Sequence, residues 1–202
     1  MRSQLAGIAA VVLAAGRSTR MGATNKLTAD YDGKALVRRV AEAALETGAS
    51  PVLVVCGHER DEVCACLDGL DVTVIENPAF AEGLSTSLRA GIAALPEDVD
   101  AAVVMLGDMP LVRPVHVRRL AAAFEAEPGG IAAVPVHDGE WGNPVILARA
   151  LFAEVATLEG DAGARKLLQA HKDKVIEVPI GEDAVSTDID TPEALEALRA
   201  RP

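Results

Sequence analysis

Aromatic side chains make up only 2% of the 202 residues, leaving no platform on which single-stranded bases could stack. Basic residues are also outnumbered. Nineteen Lys and Arg stand against 30 Asp and Glu, a formal net charge of −11, which excludes the basic face that nucleic acid or an anionic membrane requires. Cysteine is sparse and odd in number: Cys56, Cys64 and Cys66 do not form a disulfide framework, and a cytoplasmic location is expected. Cys64 and Cys66, two apart on an expected helix, point to different sides, so all three read as small core fillers. After the N-terminal stretch no apolar run approaches the roughly 18 residues of a membrane span. Arg2 and the apolar residues behind it resemble a signal peptide, but cleavage there would destroy the loop described next, so the segment is read as a first strand.

What is present is an apolar half of the composition, enough for one domain over residues 1–202, and a glycine-bounded basic loop, LAAGRSTRMGATNK, at residues 13–26. Gly16 and Gly22 permit turns in which successive amides converge on one anion. Arg17, Arg20 and Lys26 add charge, Arg as a planar fork and Lys as a mobile point charge. Neither common phosphate loop is present. Ala23 rather than Lys follows Gly22, which rules out GxxxxGK[ST], and Ser18 stands where GxGxxG needs its second glycine.

Beyond the loop, apolar periodicity predicts helices at 35–46, 61–67, 84–95, 115–125, 149–157, 162–171 and 191–199. Strands are predicted at 51–56, 72–75, 101–106, 131–135, 145–147 and 175–178. This alternation predicts a three-layer α/β sandwich with a mostly parallel sheet, whose ligands bind beyond the carboxyl ends of the strands. Asp108, in GDMP after the strand at 101–106, is therefore the first candidate ligand for Mg²⁺, which prefers hard oxygens. Asp188 and Asp190, in DIDTPE, share a face of an extended segment. Asp190 is the second metal candidate, although it could equally serve only as a neighbour of the helix cap Thr191.

Asn77, Gly83, Ser85 and Ser87 lie around a helix start where amides and hydroxyls could meet a base or ribose, or where Ser85 could simply cap the helix. Asn143, in the loop Gly142 to Pro144, and Asp161 and Arg165, in GDAGAR, suit an acceptor that carries its own phosphate. His58, His116, His137 and His171 lack ligand spacing, and of these His58 lies nearest the expected site, after Gly57.

LAAGRSTRMG with Lys26, NP and GLSTSL at 77–88, GDMP at 107–110, GNPV at 142–145, GDAGAR at 160–165 and DIDTPE at 188–193 together resemble the molybdenum cofactor nucleotidyltransferases, MobA-like enzymes. The resemblance implies a Rossmann-like nucleotidyltransferase fold and transfer of a nucleotide from CTP to the terminal phosphate of molybdopterin. It places Leu13, Ala14, Ala15, Gly16 and Lys26 around the nucleotide together with Asn77, Gly83 and Ser85. Arg20, Lys26 and Asp108 become catalytic, and Asp108 and Asp190 hold Mg²⁺. Ala15 favours CTP, because the guanylyltransferase branch usually has a second glycine there. A molybdenum hydroxylase-type dehydrogenase is the implied recipient of the product. GTP as the nucleotide, a sugar or alcohol phosphate as the acceptor, and a non-catalytic carrier of the finished cofactor are the alternatives.

Overall fold

The computed structural model describes residues 5–17 and 25–201. The first strand, β1 (Ile8–Ala14), is buried along its whole length, as a central strand covered on both faces must be. A short hairpin follows, β2 (Asp30–Tyr31) and β3 (Lys34–Ala35). Its turn residues Asp32 (φ 51°) and Gly33 (φ 76°) are both left-handed, as a tight two-residue hairpin loop demands. Helix α1 (Leu36–Thr47) ends on Gly48, which takes the left-handed conformation that stops a helix. Then come β4 (Val52–Cys56), α2 (Arg60–Cys66), β5 (Thr73–Glu76), α3 (Leu84–Ala93), β6 (Ala101–Leu106) and α4 (Pro114–Ala126). Helix α4 starts with proline at a position where no amide is needed.

The second half holds β7 (Ala132–His137), β8 (Glu140–Trp141), β9 (Val145–Ala148), α5 (Phe152–Val155), α6 (Gly163–Ala170), β10 (Val175–Pro179) and α7 (Pro192–Arg199). Strands β7 and β8 join through Asp138 (φ 51°) and Gly139 (φ 82°), a second tight hairpin. Thr191 caps α7, its hydroxyl accepting from the Ala194 amide at 3.2 Å. The predicted helix at 149–157 is in fact a 3₁₀ turn, Arg149–Leu151, running into the single-turn α5.

Strands order as β10-β7-β9-β6-β1-β4-β5, with β8 on β7. Pairs β1–β4, β1–β6, β4–β5 and β7–β10 are parallel, whereas β9 runs antiparallel to both β6 and β7. Val145 at the start of β9 lies opposite Val104 of β6. The loop entering β9 therefore opens at the same edge as the carboxyl ends of β1 and β6.

Side-chain alternation along β1 divides the core into layers. Ala10 and Val12 pack with Val37 and Val40 of α1 and Leu120 of α4. Val11 and Leu13 face the other way, toward Leu88 of α3 and Leu167 of α6. A smaller cluster pins α7 to the hairpin region through Leu36, Ile189, Leu195 and Leu198. Among the described residues no helix is long and apolar enough to cross a membrane.

Candidate active site

At the carboxyl edge, β1 opens into Ala15 and Gly16 while β6 opens into Gly107 and Asp108. Gly107 lies tightly over the end of β1, donating to the Leu13 carbonyl at 3.0 Å, and a Cβ there would come within 3.1 Å of that oxygen. Lys26 is delivered by a 3₁₀ turn, Lys26–Thr28, whose cap Asn25 accepts from the Leu27 amide at 3.0 Å and whose Leu27 is buried. The Lys26 ammonium then donates to Asp108 Oδ2 and to Asp190 Oδ1, each at 2.5 Å.

The chain brings Asp190 there by a simple device. Ile189 is buried and its amide donates to the Asp108 carbonyl at 3.0 Å. With Ile189 turned inward on an extended segment, its neighbours Asp188 and Asp190 both turn toward Asp108. Carboxylate oxygens of all three lie within 4.8 Å of one another. Burial by itself would lower the Lys26 pKa, but Asp108 and Asp190 together hold the ammonium above its ordinary value. Burial raises Asp108, with Asp188 adding to it, against the pull of Lys26. Hard oxygen donors converging on one point are the donor set of Mg²⁺ or Mn²⁺.

A cleft of about 460 Å³ spreads over this cluster, with Leu13, Ala15, Gly16, Lys26, Gly83, Asp108 and Asp161 among its lining residues. The structure thus brings together residues from five of the sequence motifs. Arg20, expected to be catalytic, lies outside the described residues. Asn77 and Ser85 sit behind the cleft wall, not on it. The Asn77 amide is buried and donates to Thr86 Oγ1 and Ser87 Oγ at 2.9 and 3.0 Å, bracing the first turn of α3. Ser85 is fully buried and makes no cap bond, and Ser87 lines the cleft instead. Gly83 begins α3 at φ +116°, so close to Gly160 that a Cβ would meet its carbonyl carbon at 2.5 Å.

Of the proposed acceptor residues, Asp161 accepts from the Leu84 amide at 3.3 Å, at the N-terminus of α3. Asn143 and Arg165 instead line a smaller chamber of about 120 Å³, which shares Leu13, Leu84 and Leu106 with the cleft. Trp141 lines it too, a residue the sequence marks only as the lone tryptophan. A broader hollow of about 580 Å³ lies elsewhere against α3, beside Arg89 and Arg149. Arg149 is spent there on the carbonyls of Val99 and Pro96, and the carboxylate cluster is not part of it.

Residues 10–175 match the MobA-like NTP transferase domain. A probable molybdenum cofactor guanylyltransferase of Natronomonas pharaonis is 30% identical over 95% of this chain and 96% of its own. The nicotine blue oxidoreductase of Paenarthrobacter nicotinovorans is 29% identical over 95% and 96%. The chain spans only about a third of the bifunctional GlmU proteins it also matches, at 32% identity and 37% of the length of the Sorangium cellulosum protein. Among solved structures, Rv0371c of Mycobacterium tuberculosis superposes with a TM-score of 0.83 at 31% identity, covering 96% of this chain and 99% of that one. Another structure of Rv0371c is a complex with manganese, at a TM-score of 0.78 and 29% identity, with the same coverage of both chains. A mixed sheet between helical layers, a glycine-ended first strand and a domain match over most of the length agree, and the chain belongs to the MobA-like NTP transferase family of nucleotidyltransferases.

Proposed function

We propose that the protein is a cytidylyltransferase that joins CMP from CTP to the terminal phosphate of molybdopterin, releasing pyrophosphate. The observation that carries this reading is Lys26 held between Asp108 and Asp190 at the mouth of the glycine loop. A lysine so placed can neutralise charge on an α-phosphate and on a departing pyrophosphate. In the reaction an acceptor phosphate oxygen bonds to the α-phosphorus as the bond from that phosphorus to the bridging oxygen breaks, and the electron pair leaves with pyrophosphate. The attacking oxygen is already anionic, so no general base is needed. Rate enhancement would come from alignment and electrostatic stabilisation.

Leu13, Ala14, Ala15 and Gly16 supply backbone to the nucleotide, Gly83 and its neighbours close the other side, and Arg20 adds charge. Asp108 and Asp190, with Asp188 beside them, would hold Mg²⁺. That ion, when bound, offsets phosphate charge. Ala15 in LAAG supports CTP over GTP. The finished dinucleotide would pass to a molybdenum hydroxylase-type dehydrogenase.

The test is pyrophosphate release from CTP, GTP, ATP and UTP with Mg²⁺, using molybdopterin or a sugar phosphate as acceptor. Release that needs both CTP and molybdopterin supports the reading. GTP in place of CTP would overturn the Ala15 argument, and turnover with the sugar phosphate alone would overturn the acceptor. The match to nicotine blue oxidoreductase over nearly the whole of both chains favours one second reading, an oxidoreductase built on the same fold. Redox turnover of nicotine blue without pyrophosphate release would favour it.

A further inference from the structure

The ammonium of Lys26 stands where a cation belongs. It donates to one oxygen of Asp108 and one of Asp190, each at 2.5 Å, and these are two of the three carboxylates whose oxygens lie within 4.8 Å of one another. Asp188 is the third. Carboxylates crowded at one sheet edge repel one another, and Lys26, its side chain 13% exposed, offsets part of that charge from within the protein. A divalent ion on the same pair would be a like charge at close range, in a place that water screens poorly. The two cations therefore compete for Asp108 and Asp190.

Lys26 also has a second place to go. Its backbone is fixed, because the 3₁₀ turn Lys26–Thr28 is capped by Asn25 and anchored by buried Leu27, whereas its four-carbon stem has rotatable bonds throughout. Lys26 lines one cleft with Gly16 and Asp108, so the same stem serves the carboxylates and the glycine loop. Mg²⁺ usually takes only one or two carboxylates and fills its other positions with substrate phosphates and water. A triphosphate thus supplies oxygens for the metal and, at the same time, an anionic partner for the ammonium that the metal turns out.

We propose that Lys26 is a resident counter-ion that reserves the carboxylate site: a divalent ion displaces it from Asp108 and Asp190, and the displaced ammonium moves to the phosphates, so that metal and triphosphate bind cooperatively. The proposal rests on the nucleotidyl-transfer reading of the cleft. It differs from a permanent ion pair in that the amine moves, and movement can be read at the amine itself.

Two measurements on the purified protein test this without turnover. Mn²⁺ binding in the absence of nucleotide is followed by electron paramagnetic resonance of the unbound ion, in the unaltered protein and in Lys26→Gln, with and without Asp190→Asn. Lys26→Gln is expected to tighten Mn²⁺ by about tenfold or more, within the usual span of coupling between two ligands, and Asp190→Asn to remove that gain. Reductive methylation mapped by mass spectrometry then reports Lys26 in the unaltered protein, with exposed Lys172 and Lys174 as references. Relative to them, Lys26 is expected to react at least about fivefold faster at saturating Mn²⁺ than without metal, and slowly again once inorganic tripolyphosphate is added under excess Mn²⁺. Mn²⁺ binding that a folded Lys26→Gln does not tighten, or Lys26 methylation that saturating Mn²⁺ leaves unchanged, would overturn the proposal. Methylation that stays fast with tripolyphosphate would overturn the move to the phosphates. The methylation result decides the matter even if Lys26→Gln does not fold. If CTP failed to bind while both metal-only results held, the transfer reading would fall and the counter-ion role of Lys26 would stand.

Discussion

The Lys26 ammonium lies 2.5 Å from Asp108 Oδ2 although the two residues are 82 positions apart in the chain. Two separate strand ends, each emptying at the same edge of the sheet, make that meeting possible. Lys26 is 13% exposed and Asp108 16%, so the pair sits where water screens it poorly. Lys26→Ala or Asp108→Ala should cut kcat by about a hundredfold or more, the scale of one lost transition-state contact. Steady-state kinetics beside near-ultraviolet circular dichroism separates this from unfolding, and near-normal turnover in a folded variant would remove that residue from the mechanism.

Chelation should abolish nucleotide transfer, and Mg²⁺ or Mn²⁺ should restore it, since both accept oxygen donors. Asp190→Asn and Asp188→Asn should each raise the metal concentration for half-maximal rate by about tenfold or more, in the range seen when a metal's supporting groups are altered. A metal titration of each variant checks this. If Asp188→Asn left the midpoint unmoved, Asp188 would be a bystander and Asp190 the second ligand.

Gly91 sets two effects against each other. Alanine in a helix interior gains about 1 kcal/mol over glycine. Here its Cβ would lie 2.4 Å from Val11 Cγ1 and 3.0 Å from Val55 Cγ2, both on fully buried strands. Overpacking of this kind costs about 1 to 3 kcal/mol. We therefore expect Gly91→Ala to destabilise by about 1 kcal/mol net in urea unfolding, and Val11→Ala to reverse the effect of Gly91→Ala in the double variant. A stabilised single variant would mean that α3 can move off the sheet.

His116 is buried with its Nδ1 accepting from the Arg113 amide at 3.2 Å and its Nε2 3.5 Å from Glu182 Oε2. Burial lowers its pKa, Arg113 and Arg119 add to this, and Glu182 opposes it. In the unfolded chain it would titrate near the ordinary 6.5, so below that pH the unfolded state binds more protons and stability falls. The contribution is complete above pH 6.5 and is lost as pH drops toward the lower folded value, at no more than about 1.4 kcal/mol per unit. Lys26 adds nothing in that window, its pKa being raised from 10.5. Urea unfolding at pH 7.5, 6.5 and 5.5 should show the decline, and His116→Gln should flatten it.

Much of the architecture was legible because buried strands here are continuous apolar runs. The run at 101–106, for instance, is β6 to the residue. The missed pieces were β2, β3 and β8, strands of two residues that carry no periodicity; Asp32-Gly33 and Asp138-Gly139 were the available signals. Strand alternation also could not show that β9 runs backward, because direction depends on pairing partners. Asp108 and Asp190 could be picked out as neighbours of strand or helix ends, whereas Trp141 becomes part of a wall only once β8 folds onto β7. Ser85 and Ser87 were separable in principle, since residues two apart on a helix point to opposite sides, but only after the first residue of α3 is known.

The reversed β9 has a consequence for how such a chain can change. A parallel strand in that place would send its entering loop to the far side of the sheet. Reversal brings residues 142–144 to the edge where β1 and β6 end, while β8 just before them pairs with β7 and not with the sheet's central parallel strands. Exchange, shortening or lengthening within that hairpin would therefore reshape the rim of the chamber without disturbing the strand ends that present Gly16 and Asp108. The rim is in this sense a detachable part, held on a separate hairpin from the strands that present the carboxylate cluster.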